Sequence, residues 1–134
     1  MTALAYSIVI ATFERPAELR VTLDSIAAQT RPPARVVVVD ASRDEQTRAV
    51  ADDFAARLPL RYERAVRPSA AVQRNQGAEH VATPLIAFLD DDVFVPAETF
   101  ATLCTAFDRD DAQRIGGIAA RITGMQHTPP RGLL

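Results

Sequence analysis

The sequence has no lysine and no tryptophan, and its one cysteine is Cys104. Each absence closes off a class of function. A Walker-type phosphate loop needs a lysine at its phosphates, and no G-x-x-x-x-G-K-[ST] occurs. Receiver-type phosphoacceptor domains and many nucleotidyltransferases also depend on lysine. One cysteine excludes an internal disulfide and a cysteine-built zinc cluster. His80 and His127 are too far apart in the chain to suggest a histidine metal site. No apolar run approaches the ~18 residues of a membrane-spanning helix. A strand-like run begins at Tyr6 with no basic leader before it, so no signal peptide is expected. The setting expected from these features is cytoplasmic.

What is present fits one compact domain. The 134 residues are 48% hydrophobic and 24% charged, enough for a single core over 1–134. All 15 basic residues are arginine, and the net charge is −2. A nucleic-acid binder needs a net basic field, so no nucleic-acid partner is expected.

Tyr6 to Ala11 and Arg35 to Val39 are short, β-branched apolar runs that read as buried strands. Leu85 to Leu89 is a third, and Leu60 to Val66 is a weaker one. Between them lie helical patterns. Pro16 opens the first, with Leu19, Leu23, Ile26 and Ala27 at helical spacing, and Pro32-Pro33 stops it. Ser42 or Asp44 can cap a second, whose face is Val50, Ala51, Phe54 and Leu58. Ser69 to Val81 reads as a third. Phe100, Leu103, Cys104 and Phe107 mark a fourth. Ile115 to Ile122 reads as a last strand, loosened by Gly116-Gly117, and 127–134 as an irregular tail. Fully apolar strands alternating with amphipathic helices predict an α/β fold with a mostly parallel sheet and helices on both faces.

In such sheets, ligands bind beyond the carboxyl ends of the strands. The first strand is followed by Thr12, Glu14 and Arg15, the second by Asp40 and Ser42, and the third by Asp90, Asp91 and Asp92. Three adjacent carboxylates near a buried strand end repel one another and lose solvation. A divalent cation such as Mg2+ or Mn2+ removes that penalty, with substrate phosphates completing its oxygen ligands. Alternation along an extended segment sends Asp90 and Asp92 to one side and Asp91 to the other. The alternative is a solvated turn capping the following helix, but Val93, Phe94 and Val95 intervene.

The third helix carries a second anomaly. Ala71, Arg74, Asn75 and Ala78 have the spacing of a core-facing stripe, yet two are strongly polar. Either Arg74 turns inward and is paired with Asp40 or the triplet, or this side faces water and Val72 and Val81 mark the buried side. The acidic strand ends favour a functional Arg74. Cys104 reads as inert packing, His80 as a helix-surface residue, and Asp110-Asp111 as a solvated turn.

Taken in order, T-F-E-R-P after the first strand, VVVVD, A-V-Q-R-N-Q-G-A and FLDDDV resemble an inverting family 2 glycosyltransferase of the GT-A fold. The likeness covers roughly Tyr6 to Phe107. It implies a donor-binding domain for a nucleoside-diphosphate sugar. Thr12 and Arg15 would line the nucleotide pocket, and Asp40 would contact the base. Arg74 would lie near the base and triplet, Asn75 would support that loop, and Asp91 would belong to the nucleotide site. Asp90 would approach the ribose or diphosphate, and Asp92, with Asp90, would hold Mg2+ or Mn2+. The implied reaction is displacement with inversion onto a hydroxyl acceptor such as a glycan or lipid, and the whole enzyme could sit peripherally at the inner face of a membrane.

Three departures stand out. Glu14 replaces the family's usual asparagine, and the turn after Asp40 is one residue short. The acceptor half and catalytic base are expected beyond this sequence, so no catalytic residue is assigned. A non-catalytic nucleotide- and metal-binding module is the alternative reading.

Overall fold

The computed structural model describes residues 3–124. The order is β1 (Tyr6–Thr12), α1 (Pro16–Ala27), β2 (Arg35–Asp40), α2 (Gln46–Phe54), β3 (Leu60–Arg64), α3 (Ala70–Ala78), β4 (Leu85–Leu89) and α4 (Thr99–Asp108). The four strands form one sheet in the order β3-β2-β1-β4, every pair parallel. The fold is therefore α/β, as the alternating pattern requires.

The two central strands are apolar on both sides because both sides are covered. Ile8, Ile10, Val36 and Val38 face one layer, packed by Leu19, Leu23 and Ile26 of α1, Val50 and Phe54 of α2, and Phe100 and Cys104 of α4. Val9, Val37 and Val39 face the other, where α3 lies. Gly77 lets α3 approach closely: a Cβ there would collide with Val9 and crowd Val39. The small residue thus sets the depth at which α3 sits on the sheet.

The structure corrects four expectations. Ile115 to Ile122 forms no strand and is exposed. A Cβ added at Gly116 or Gly117 would meet nothing within 4 Å, and the run takes up neither open edge of the sheet, at β3 or at β4. Neither Ser42 nor Asp44 is the cap residue of α2; that position is Glu45, and its side chain makes no cap bond. Asp44 instead accepts from the Gln46 N–H at 3.0 Å, and Ser42 serves another loop. α3 is shorter than Ser69 to Val81, with Ser69 as its N-cap. Its buried residues are Gln73 and Gly77, one position off the stripe of Arg74 and Ala78. The tail at 127–134 lies outside the described residues.

Candidate functional site

Parallel pairing brings all the carboxyl ends to one edge. Thr12 of β1 stands beside Asp40 of β2, and Ile10 beside Leu89 of β4, so the triplet emerges next to the loop after Thr12. The middle carboxylate is the buried one. Asp91 is 7% exposed; it accepts from the Thr12 hydroxyl at 2.8 Å and from Arg15 Nη1 at 3.2 Å. Asp90 and Asp92 remain about half exposed. Asp91 is thus the enclosed member and its neighbours are the exposed ones, but Asp91 and Asp92 form a turn in place of the extended segment expected.

Each acid is met by an arginine. Arg15 Nη1 bridges Asp91 and Asp92, reaching the latter at 2.9 Å. The guanidinium is held further above its usual pKa, first by the hydrogen bond to Asp92 and then by Asp91. Arg74 donates to Asp90 at 3.1 Å. Arg74 therefore lies at the water-facing rim of α3, as the second of its two readings required, yet still finds the triplet. Asn75, next to it, is exposed.

Asp40 is enclosed. It is 0% exposed, and Oδ1 accepts from the Ser42 N–H at 2.8 Å. Oδ2 takes the Tyr62 hydroxyl at 2.6 Å and Arg64 Nη1 at 3.3 Å. Burial first, and Asp40 second, push the Tyr62 hydroxyl well above its ordinary pKa. In this arrangement Asp40 shapes the turn at Ser42 and presents no oxygen to a ligand. Ser42 Oγ in turn accepts from the Glu14 N–H at 2.7 Å. Glu14 has φ +51°, a left-handed conformation in which asparagine is far commoner than glutamate. That gives a physical reason for the asparagine usual at this position.

Three contributors are given no role by the sequence. Gln73, buried on α3, donates from Nε2 to the carbonyls of Thr12 at 3.0 Å and Val39 at 2.9 Å, tying the ends of β1 and β2 together. Phe13 is an exposed aromatic at the same edge, with Arg43 stacked 5.8 Å from its centre. Thr22 on α1 holds the backbone that follows the triplet. The sequence signal for Gln73 is its place in the A-V-Q-R-N-Q-G-A run, one position off the apparent stripe.

The donor chemistry suits a hard divalent cation. Asp90 and Asp92 offer carboxylate oxygens at the open edge, and such ions need only one or two carboxylates when phosphates supply the rest. Among the described residues no three histidine, cysteine or acidic side chains form a ready-made cage. Two hollows in the described surface, one beside Leu4 and Leu85 and one beside Arg35 and Leu60, lie at the amino ends of the strands, away from the triplet.

Parallel strands thus deliver a fastened acidic triplet to one open edge of an α/β domain, and the family can now be stated. The glycosyl transferase family 2 model matches residues 7–133, and the chain belongs to that family. Its sequence is 38% identical over 91 residues to validoxylamine A glucosyltransferase of Streptomyces hygroscopicus subsp. limoneus, covering 65% of this chain and 20% of that protein. The corresponding enzyme of subsp. jinggangensis is 37% identical over 91 residues, covering 65% and 22%. The chain thus spans about a fifth of the length of these relatives.

Among solved structures, S. aureus TarS 1-349 superposes with a TM-score of 0.72 at 24% identity, covering 78% of this chain and 32% of that one. The mannosyltransferase PcManGT of Pyrobaculum calidifontis, solved with GDP-Man and Mn2+, gives 0.69 at 22% identity, covering 80% and 32%. The fold is that of GT-A glycosyltransferases. Among the described residues no helix is long and apolar enough to cross a membrane.

Proposed function

We propose that this chain is the donor-binding part of a glycosyltransferase that takes a nucleoside-diphosphate sugar with Mg2+ or Mn2+. The observation that carries the reading is the buried Thr12–Asp91 bond with Arg15 across it. It fastens the triplet to the end of β1 through its middle member and leaves Asp90 and Asp92 half exposed at the edge, each paired, among the described residues, only with an arginine. Family membership supports the same reading.

In this proposal Asp92, with Asp90, holds the metal, and Asp90 also lies toward the ribose and diphosphate. When bound, the ion would supply Lewis-acid stabilisation to the departing nucleotide. Arg15 and Arg74 neutralise the triplet in its absence and are placed to turn to phosphate oxygens, which guanidinium groups bind well. Thr12 and Asp91 fix the frame. Asp40 acts through the Ser42 turn, with Phe13 a flat apolar face for the base. Asn75 lies at the rim beside Arg74.

The reaction proposed for the whole enzyme is inverting transfer to a hydroxyl acceptor, of a glycan, lipid or other molecule, in the cytoplasm or at the inner face of a membrane. No described residue is assigned as the catalytic base. The open edge supports donor binding by this chain, with little transfer by it alone.

Calorimetry with UDP, GDP and dTDP, each with and without Mn2+, tests the reading. Metal-dependent binding of at least one is expected. Binding of none overturns it, and efficient sugar transfer by this chain alone overturns the claim that it only binds the donor.

A further inference from the structure

The buried face of α1 is not wholly apolar. Thr22 and Ser25 interrupt the stripe of Leu19, Leu23 and Ile26, Gln29 follows just past the end of the helix, and all three are buried. Their polar atoms meet the backbone of the segment that follows the triplet. Ser25 Oγ accepts from the Val95 N–H at 3.1 Å. Gln29 donates to the carbonyls of Val95 at 3.0 Å and Pro96 at 2.9 Å, and accepts from the Phe100 N–H at 3.2 Å. This ladder fixes the register of the segment against α1.

Thr22 does something more specific. Its Oγ1 accepts from the Val93 N–H at 3.1 Å and lies 2.9 Å from the Asp91 carbonyl and 2.8 Å from the Val93 carbonyl, which share its one proton. The Asp91 carbonyl and the Val93 N–H belong to the two peptide groups that flank the Cα of Asp92. Each peptide is planar, so only φ and ψ of Asp92 turn one relative to the other. One hydroxyl that holds both peptides therefore restrains both dihedrals, and with them the direction in which the Asp92 side chain leaves the backbone.

We infer that Thr22 is a positioning residue that aims the Asp92 carboxylate at the metal. The inference rests on the reading of Asp92 as a metal ligand. Helix formation does not call for threonine here, since β-branched residues are indifferent helix formers. Nor does the space, since valine has nearly the same shape. The hydroxyl is the part with a partner. Ser25 provides the contrast, because its loop contact is at Val95, beyond the triplet.

The test is a Mn2+ titration of nucleotide binding, with UDP and GDP as probes, on the wild type and on Thr22→Val, Thr22→Ser, Thr22→Cys and Ser25→Ala. Calorimetric stoichiometry reports the folded fraction separately from affinity. Thr22→Val is expected to raise the Mn2+ midpoint about tenfold or more, the usual effect of losing a group that orients a metal ligand. Thr22→Ser restores the hydroxyl and the midpoint. Ser25→Ala lowers thermal stability but leaves the midpoint near wild type. Thr22→Cys keeps a weaker donor and acceptor and falls between, which preserves the test if valine prevents folding. Metal-dependent binding by the wild type with an unshifted midpoint in Thr22→Val, or in Thr22→Cys where valine does not fold, overturns the inference alone. Nucleotide binding by the wild type without any dependence on metal overturns the reading of Asp92 and the inference with it.

Discussion

Thr12 and Asp91 stand 79 residues apart in the chain and share a buried hydrogen bond of 2.8 Å. Thr12 ends β1, and Asp91 lies just past β4. The bond turns two strand ends into one fixed edge and decides which carboxylates of the triplet stay available.

Thr12→Val should remove this bond while keeping the shape of the side chain. Asp91 would keep only Arg15 as a partner among the described residues. A hydrogen bond to a charged group contributes about 1.5–3 kcal/mol, and a loss of that size is expected in urea unfolding. Thr12→Ser should recover most of it. Equal stability of the valine and wild-type proteins would show that the bond does not hold the edge.

Gln73→Leu should expose how far the strand ends depend on one side-chain amide. Its Nε2 serves two backbone carbonyls, Thr12 and Val39. Leucine would leave the Val39 carbonyl without this donor, while Thr12 still accepts from the Ala41 N–H at 3.0 Å. The expected cost is about 1–3 kcal/mol by denaturant titration. Gln73→Glu should cost at least as much, because a carboxylate cannot donate to a carbonyl and its charge would be buried.

Gly77→Ala should destabilise despite the gain of about 1 kcal/mol in helix propensity. The added methyl would strike Val9 in the middle of β1. Overpacking of this kind costs about 1–3 kcal/mol. Combining Gly77→Ala with Val9→Ala should cost less than the sum of the two single changes, since the second makes room for the first. Simple additivity in thermal unfolding would deny the contact between α3 and β1 its role.

Acid should loosen the clamp that joins the segment before β1 to the end of α4. Asp108 takes Arg31 Nη1 at 2.7 Å and the Leu4 N–H at 2.7 Å. The Arg31 hydrogen bond first, and Leu4 second, hold its carboxyl below the ordinary value of 3.8. A carboxyl with a depressed folded pKa stabilises above its unfolded value and loses that contribution as pH falls through the folded one. The melting temperature should therefore fall below about pH 4 more steeply in the wild type than in Asp108→Asn. Parallel curves would show that another group governs acid stability.

Much of this was legible in the sequence, for identifiable reasons. Val36 to Val39 read as a doubly covered strand because four β-branched residues in a row suit a parallel sheet. The triplet stood out because three carboxylates at a strand end have no cheap resting state. What could not be read depends on backbone partners or on depth of packing. Thr22, Ser25 and Gln29 bond mainly to main-chain groups, which leave no trace in residue types. The phase of α3 turned on Gly77, whose effect appears only when Val9 lies beneath it. Asp40 looked available at a strand end, but Tyr62 and Arg64 on the neighbouring strand enclose it. Ile115 to Ile122 has the composition of a strand, and composition does not say whether a run takes up the open edge of a sheet.

The central claim is that the triplet binds a divalent cation together with a diphosphate, through Asp92. Electron paramagnetic resonance of free Mn2+ in the presence of this protein tests it directly. Adding UDP or GDP should diminish the free-ion signal well beyond what the nucleotide does alone, and Asp92→Asn should abolish that difference. Nucleotide binding that is equally tight in EDTA, or a signal loss identical in the wild type and Asp92→Asn, would contradict the account.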